Sequence, residues 1–180
     1  MSWMQTYTGR AFTPLDPLPE MVDLLDIAHS LSNQCRFAGH CLRFYSVAEH
    51  SVYVSRVVPS RLAALGLLHD AAEAYLVDVP RPIKPYLEGY KNIESAVEDA
   101  IFERFGLKYP GGNLWDILKA TDAAVLAAER DQIMGPAPMP WAPLPPPPDG
   151  LFIAALPPER AKALFIERAV ELGLYTWPAP

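Results

Sequence analysis

We predict from the sequence that the chain folds as a single, all-α helical bundle. Apolar residues recur with the roughly 3.6-residue period of a helix over most of the chain, and proline or glycine separates one such segment from the next. Runs that favour strands are confined to residues 3–20, where a Gly-Arg turn and prolines predict a small hairpin or an extended arm. The chain has 180 residues, 51% of them hydrophobic, and is therefore long enough to bury one sizeable core.

Helical periodicity and capping residues predict six helices. Ser46 followed by Glu49 three residues later is the pattern of a capping box at the start of the second helix. Gly106 and Gly173 stand where glycine commonly ends a helix. The six helices are expected at about residues 23–35, 47–58, 61–77, 90–105, 114–134 and 157–172.

The proline-rich residues 135–150 predict a polyproline-like excursion on the surface of the bundle, not a boundary between domains. We therefore predict one domain over residues 1–180. An N-terminal arm at 1–20 precedes the helices, and a C-terminal helix at 157–173 follows the proline-rich loop.

Charge and composition limit the classes of partner. The net charge of −6 argues against a nucleic-acid polymer, because binding its phosphates needs clustered Lys and Arg. We expect a cytoplasmic protein without a membrane partner, since no leader segment or bilayer-spanning apolar run is visible. Cys35 and Cys41 lack the spacing of a redox motif or a zinc site and are expected to be reduced. Surface aromatic residues indicate a homo-oligomer, namely Trp3, Trp141 and Trp177.

Residues 67–78 place several ionisable side chains in an apolar helix. Helical spacing puts His69 and Glu73 one turn apart on one face, with Asp70 at its edge. An imidazole nitrogen and a carboxylate oxygen aimed at one point suit a divalent cation, and burial without a partner would be costly. A solvated polar stripe would explain the same residues, so this segment alone leaves both interpretations open.

Two other helices are predicted to carry inward-facing residues of the metal-binding type. His50 lies on a face of the second helix that is otherwise apolar. Asp122 lies in an Ala- and Leu-rich stretch of the fifth helix, where we expect it to be buried and paired. Along the chain, the candidate ligands follow the order His, His-Asp, Asp.

This order of ligands resembles the HD-domain superfamily of metal-dependent phosphohydrolases. The match extends to the segments Ala48-Glu49-His50-Ser51, Leu68-His69-Asp70-Ala71-Ala72-Glu73 and Pro80-Arg81-Pro82-Ile83-Lys84. These segments are similar to the bacterial HD-domain 5′-deoxynucleotidases and to phage enzymes that hydrolyse dATP. The resemblance covers about residues 23–134 and implies an HD-type helical bundle. The separation of His50 and His69 is shorter than in those nucleotidases, which implies a shortened second helix.

The resemblance also implies the composition of a catalytic centre. One divalent metal ion would be bound by His50, His69, Asp70 and Asp122. Two imidazoles and two carboxylates suit Mn²⁺, Co²⁺, Zn²⁺ or Fe²⁺ better than Mg²⁺ or Ca²⁺, which prefer oxygen ligands. Glu73 would take a proton from the attacking water, and Asp78 would order that water or assist the leaving oxygen.

Four further residues are candidates for binding the substrate. Arg36 and Phe37 resemble an Arg-Trp pair that shapes the sugar and phosphate end of the nucleotidase pocket, and the Phe leaves the preference for deoxyribose open. Phe37 is alternatively a core aromatic residue. Lys84 would either reach a phosphate or be solvated, and His40 is either a substrate contact or an exposed imidazole.

The resemblance implies hydrolysis of phosphate from a small nucleotide, with a 2′-deoxynucleoside monophosphate as the expected substrate. One alternative is a triphosphohydrolase that converts dATP or another dNTP to deoxynucleoside and triphosphate. A second alternative is an HD module that binds nucleotide without turnover. The presence of both Glu73 and Asp78 argues against the binding module, because a pure binder needs no general base.

Overall fold

The computed structural model describes residues 2–176 and is predominantly helical. Helices account for 53% of the described residues and strands for 3%, which confirms the predicted helical class. The strands are β1 (Met4–Gln5) and β2 (Ala11–Phe12). The helices are α1 (Leu24–Asn33), α2 (Val47–Val57), α3 (Ala63–Leu68), α4 (Glu73–Leu76), α5 (Tyr90–Arg104), α6 (Leu114–Ile133) and α7 (Pro158–Glu171).

The N-terminal arm is a hairpin that packs against the helices. β1 and β2 pair antiparallel, and Gly9 takes the positive φ of 84° that the turn between them requires. The hydroxyl of Thr8 donates to Asp26 Oδ2 over 2.9 Å, which ties the turn to α1. Phe12 is fully buried, and its ring stacks on Tyr75 at 3.8 Å. The predicted hairpin is therefore confirmed.

Helix α2 occupies the centre of the bundle and packs against α1, α3, α6 and α7. Ser46 caps it as predicted, because its hydroxyl accepts from the backbone N–H of Glu49 over 3.1 Å. The reciprocal half of the predicted capping box is wrong. The buried Glu49 carboxylate instead accepts from the backbone N–H groups of Ala155 and Leu156, over 3.0 and 2.7 Å. Glu49 thus fixes the chain that enters α7.

The predicted third helix, 61–77, is interrupted, and the prediction of one continuous helix there is wrong. A turn at residues 69–72 separates α3 from α4. Its hydrogen bonds span three residues, as in Ala71 N to Leu68 O (3.1 Å) and Glu73 N to Asp70 O (3.0 Å). Val77, at a φ of 74°, ends α4. The tighter winding lies at His69 and Asp70, the two residues between Leu68 and Ala71.

The other predicted helices are confirmed within a few residues, and the proline-rich residues 135–150 contain no helix or strand. Trp3 is 60% exposed, and Trp141 is half-buried. Trp177 lies outside the described residues. Within residues 2–176, no helix combines the length and apolar character needed to cross a membrane.

Helices α2 and α3 approach closely at Gly66, where a Cβ atom would lie 3.0 Å from both Ser55 Cα and Val58 Cγ2. We predict that Gly66→Ala lowers the free energy of unfolding by about 1–3 kcal/mol, because a backbone atom of α2 cannot yield without moving the helix. Gly111→Ala is the control, since a Cβ there meets no atom within 4 Å. Denaturant unfolding of the two variants tests this, and equal stabilities would contradict the close approach.

Candidate metal centre

The structure brings together His50 from α2, His69 and Asp70 from the turn after α3, and Asp122 from α6. His50 Nε2 lies 3.1 Å from Asp122 Oδ1 and 3.7 Å from Asp70 Oδ2. His69 Nε2 lies 3.2 Å from Asp70 Oδ2 and 4.0 Å from Asp122 Oδ1. Two imidazole nitrogens thus face two carboxylate oxygens. The group of His50, His69 and Asp122 could hold a metal ion.

Both histidines present the same nitrogen to this point. His50 Nδ1 donates to Glu129 Oε1 over 2.5 Å, and His69 Nδ1 donates to the carbonyl oxygen of Gly66 over 2.9 Å. These bonds direct each Nε2 at the cluster, where it can carry a proton or, when deprotonated, bind a cation through its lone pair. Within residues 2–176, both Nε2 atoms are buried without a hydrogen-bond partner. Buried unpaired nitrogens with oriented rings are what a metal ligand requires, so the residues fit a divalent cation.

The carboxylates and imidazoles of the cluster stabilise each other's charged forms. Burial opposes protonation of His69, yet the carboxylates of Asp70 and Asp122 raise its pKa to about 9. Burial also opposes ionisation of Asp122, and the two imidazoles nevertheless hold the pKa of Asp122 below its usual range. The carboxylates are therefore ionised at neutral pH and attract positive charge, whether it comes from a proton or a metal ion.

Glu129 is part of this centre, although sequence analysis did not select it. It is fully buried on α6, two turns after Asp122, and accepts from His50 and from the hydroxyl of Tyr45 over 2.9 Å. Arg36 and His50 hold the pKa of Glu129 below its usual range against the effect of burial. Asp122 and Glu129 are seven residues apart on one helix face, and that spacing was the available signal.

Arg36 lies behind the centre and is only 9% exposed. Its Nη2 lies 3.2 Å from Glu129 Oε2, and its Nη1 lies 3.6 Å from Asp70 Oδ2. The guanidinium therefore connects a carboxylate on α6 with a candidate metal ligand. This position differs from the open substrate-facing one that the resemblance implies.

A cavity of about 570 Å³ opens beside the cluster, between α5, α6 and the loop after α4. Of the candidate catalytic and substrate-binding residues, Glu73 and Lys84 line it. Among the described residues, four cationic side chains line the cavity, and they are Arg81, Lys84, Lys91 and Lys119. Five carboxylates line it as well, and they are Asp70, Glu73, Glu94, Glu98 and Asp122. Arg81 and Lys84 are paired with carboxylates, whereas no ion pair engages Lys91 or Lys119 among the described residues, so these two lysines could contact a phosphate-bearing ligand.

Glu73 is 6% exposed, and Lys84 Nζ lies 3.5 Å from its Oε1. Its Oε2 is buried without a hydrogen-bond partner in the described part of the chain. Burial, together with the neighbouring carboxylates of Asp70 and Asp78, raises the pKa of Glu73 to about 9. Lys84 also donates to Glu94 over 2.9 Å. Glu73 therefore presents one free oxygen at the edge of the centre.

Arg81 lies in one of the segments that resemble the nucleotidases, and in the structure it has a specific partner. Its Nη2 donates to Asp122 Oδ2 over 2.7 Å, although the side chain is 66% exposed. The two carboxylate oxygens of Asp122 therefore have different partners: Oδ2 accepts from Arg81, and Oδ1 faces His50.

Four of the candidate catalytic and substrate-binding residues do not line the cavity, and they are Arg36, Phe37, His40 and Asp78. The backbone N–H of Asp78 donates to Gln34 Oε1 over 3.0 Å. The ring of Phe37 meets Trp141 edge-on, with 6.3 Å between centroids, and His40 is exposed on the following turn. Arg36, Phe37 and His40 therefore stand together on one loop, outside the cavity wall.

The fold and this centre define a helical protein with a His/His/Asp group that could bind a metal ion. YfdR of Escherichia coli K12, named as uncharacterized, is 42% identical over 130 residues, which cover 72% of the chain and 71% of YfdR. An uncharacterized protein of Rhodobacter capsulatus is 32% identical over 145 residues, or 74% of each chain. The chain belongs to the family of these two proteins. No protein-family model matches it.

A more limited similarity connects the chain with proteins named for an activity. A 5′-deoxynucleotidase of Photobacterium profundum is 36% identical over 90 residues, which cover 47% of the chain and 44% of that protein. The match supports the resemblance to HD-type nucleotidases and a relationship to hydrolases. The chain spans less than half of that nucleotidase.

We predict that Arg36→Ala lowers the free energy of unfolding by about 3–5 kcal/mol, because it leaves the buried Glu129 carboxylate without its cationic partner. Arg43→Ala, on the same loop but exposed, should change stability little. Thermal and denaturant melting of both variants makes the comparison. An Arg36→Ala protein as stable as the Arg43→Ala protein would show that this ion pair does not support the fold.

We predict that Asp122→Asn weakens binding of Mn²⁺ or Co²⁺ by at least roughly 10- to 100-fold. Loss of a residue that only hydrogen-bonds to a metal ligand already has an effect of this size, and loss of a ligand should have a larger one. The control is Asp116→Asn, an exposed residue on the same helix. Titration calorimetry of the metal-stripped proteins, with metal content after dialysis, measures the effect. Unchanged affinity in Asp122→Asn would exclude this residue as a ligand.

Proposed function

We propose that the protein is a divalent-metal-dependent phosphohydrolase that acts on a small nucleotide, with 5′-nucleotidase action on a 2′-deoxynucleoside monophosphate as the principal activity. One observation carries the proposal. Two oriented imidazoles, each with a buried unpaired Nε2, face the oxygens of Asp70 and Asp122 at the wall of a cavity that four Lys and Arg side chains also line. The partial similarity to 5′-deoxynucleotidases supports the same activity.

In this proposal, the metal is held by His50, His69, Asp70 and Asp122, and two nitrogen with two oxygen donors favour Mn²⁺, Co²⁺, Zn²⁺ or Fe²⁺. Such an ion lowers the pKa of a bound water and neutralises charge on phosphoryl oxygens. The hydrogen bonds of His50 to Glu129 and of His69 to Gly66 keep both rings in the required tautomer. Arg36 acts through Glu129 and Asp70 as a positioning residue.

Glu73 is the proposed general base. Its free Oε2 accepts the proton of the attacking water, and Lys84 at 3.5 Å restrains the other oxygen. When positive charge is bound at Asp70, the repulsion that raises the pKa of Glu73 is offset, which favours the carboxylate form that a base needs. Asp78 contributes charge near Glu73 and is proposed to order the water or assist the leaving oxygen.

The lysine side chains that line the cavity make a triphosphate the second candidate substrate. Lys84 is engaged by Glu73 and Glu94, whereas Lys91 and Lys119 extend the positive charge along α5 and α6. A chain of phosphates could follow them. Incubation of the Mn²⁺- or Co²⁺-loaded protein with dNMPs, NMPs and dNTPs, with separation of the products, distinguishes the candidates. Orthophosphate from dNMPs supports the nucleotidase, inorganic triphosphate supports the alternative, and binding without any product supports a non-catalytic module.

We predict that Glu73→Gln retains metal affinity and lowers kcat by roughly 10²- to 10⁴-fold, the usual contribution of a positioned acid or base. Glu103→Gln, at an exposed position of α5, is the matched control. Steady-state kinetics on the best substrate and metal titration of each variant give the two readouts. Full turnover by Glu73→Gln would remove Glu73 from the mechanism, and loss of metal would make it a ligand instead.

A further inference from the structure

The end of the cavity away from the metal centre carries an aromatic side chain, whereas most of its wall is charged. Trp115 is the one Phe, Tyr or Trp side chain that lines the cavity within residues 2–176, and Leu118, one turn further along α6, lines it as well. The Trp115 indole is half-buried and packs against the core. An aromatic face beside apolar groups, in a cavity otherwise rich in charge, can accept a flat aromatic ring.

Helix geometry fixes how far this aromatic end is from the metal centre. Trp115 and Asp122 are seven residues apart on α6 and both line the cavity, with Leu118 and Lys119 on the turn between them. Two turns of helix separate their Cα atoms by roughly 10 Å. An extended nucleotide whose phosphate lies at Asp122 would reach the indole of Trp115 with its base.

Neighbouring side chains restrain the orientation of the Trp115 ring. Tyr109 meets it edge-on, with 6.2 Å between ring centroids, and Lys119 Nζ lies 5.5 Å from the ring centroid. The Lys119 side chain is exposed and can move when a ligand ring stacks on the indole. A restrained indole loses little freedom on binding, which favours stacking.

Helix α5 supplies the polar groups opposite Trp115. Glu94 is engaged by Lys84 over 2.9 Å, whereas Glu98 also lines the cavity and has no lysine or arginine partner among the described residues. The single hydroxyl proton of Tyr109 is shared between Asp99 Oδ1 at 2.8 Å and Glu98 Oε2 at 3.1 Å. Glu98 therefore keeps acceptor capacity for a ligand donor.

We propose that Trp115 and Glu98 form the nucleobase subsite, an inference that rests on the proposed nucleotide substrate. Trp115 stacks on the base, and the Glu98 carboxylate accepts a hydrogen bond from an exocyclic amino group. Adenine, cytosine and guanine carry such a donor, whereas thymine has no amino group, and its single ring donor, N3–H, lies between two carbonyl oxygens that a carboxylate repels. The subsite therefore selects amino-bearing bases over thymine.

The test combines equilibrium binding with kinetics on dAMP, dCMP, dGMP and dTMP. Trp115→Ala is expected to weaken binding of every nucleotide by about 5- to 100-fold, and Trp115→Phe to restore most of it. Metal affinity and melting temperature are measured for both variants, so that a folding defect is separated from a lost stacking surface. Trp3→Ala removes an exposed tryptophan from the N-terminal arm and should leave binding unchanged.

The carboxylate is tested separately. Wild-type protein should prefer dAMP, dCMP and dGMP to dTMP by about tenfold or more, and Glu98→Gln should largely abolish this preference, because an amide also donates to a carbonyl oxygen. Calorimetric titration with dAMP and dTMP gives this result without turnover. Equal affinity of the wild type for both, or unchanged binding by Trp115→Ala, overturns the subsite.

The proposed function and the subsite can fail independently. Hydrolysis that is insensitive to Trp115→Ala removes the subsite and leaves the phosphohydrolase. Nucleotide binding that depends on Trp115 and Glu98, without hydrolysis of any substrate, removes the enzyme and leaves the subsite. If wild-type protein binds none of the four nucleotides, both proposals are wrong.

Discussion

The buried ion pair between Glu129 and Arg36 is the interaction on which the centre of this molecule depends. A carboxylate with no solvent exposure is stable only when charge and hydrogen bonds replace its hydration. Arg36 supplies the charge, and Tyr45 and His50 supply further donors. Because these partners come from the loop after α1 and from α2, satisfying Glu129 also joins three parts of the bundle. The orientation of His50 follows from the same requirement.

Carboxylates from helix α6 contact both ring nitrogens of His50. Glu129 accepts from Nδ1, and Asp122, two turns earlier, places Oδ1 3.1 Å from Nε2. The imidazole is therefore held between two carboxylates of one helix, and only the contact with Asp122 lies at the cavity. The short turn after α3 then completes the group with His69 and Asp70. The same packing that stabilises the bundle thus directs the candidate ligands to one point.

Sequence patterns were sufficient for most helices, because apolar periodicity and caps are local properties. They failed at residues 69–72, where apolar periodicity cannot distinguish a continuous helix from one interrupted by a tight turn. They identified four side chains that meet in the structure, yet missed Glu129, whose partners are 79 to 93 residues away along the chain. The contact of Arg36 with Glu129 could not be predicted for the same reason, since the two residues are 93 positions apart and meet only when α6 is packed in place.

The position of the cavity follows from an uneven distribution of apolar residues along α5. The buried residues of this helix are Val97, Ala100, Ile101 and Phe102, all in its second half. The residues of α5 that line the cavity are instead polar, and three of the four precede Val97; they are Lys91, Glu94, Ser95 and Glu98. Such side chains cannot pack against another helix without losing hydration, so a gap between the two helices is favoured there. The gap opens beside the candidate metal ligands because Asp122 and Trp115 share the facing surface of α6. A polar stretch that weakens helix packing therefore creates the space in which the proposed nucleotide would bind.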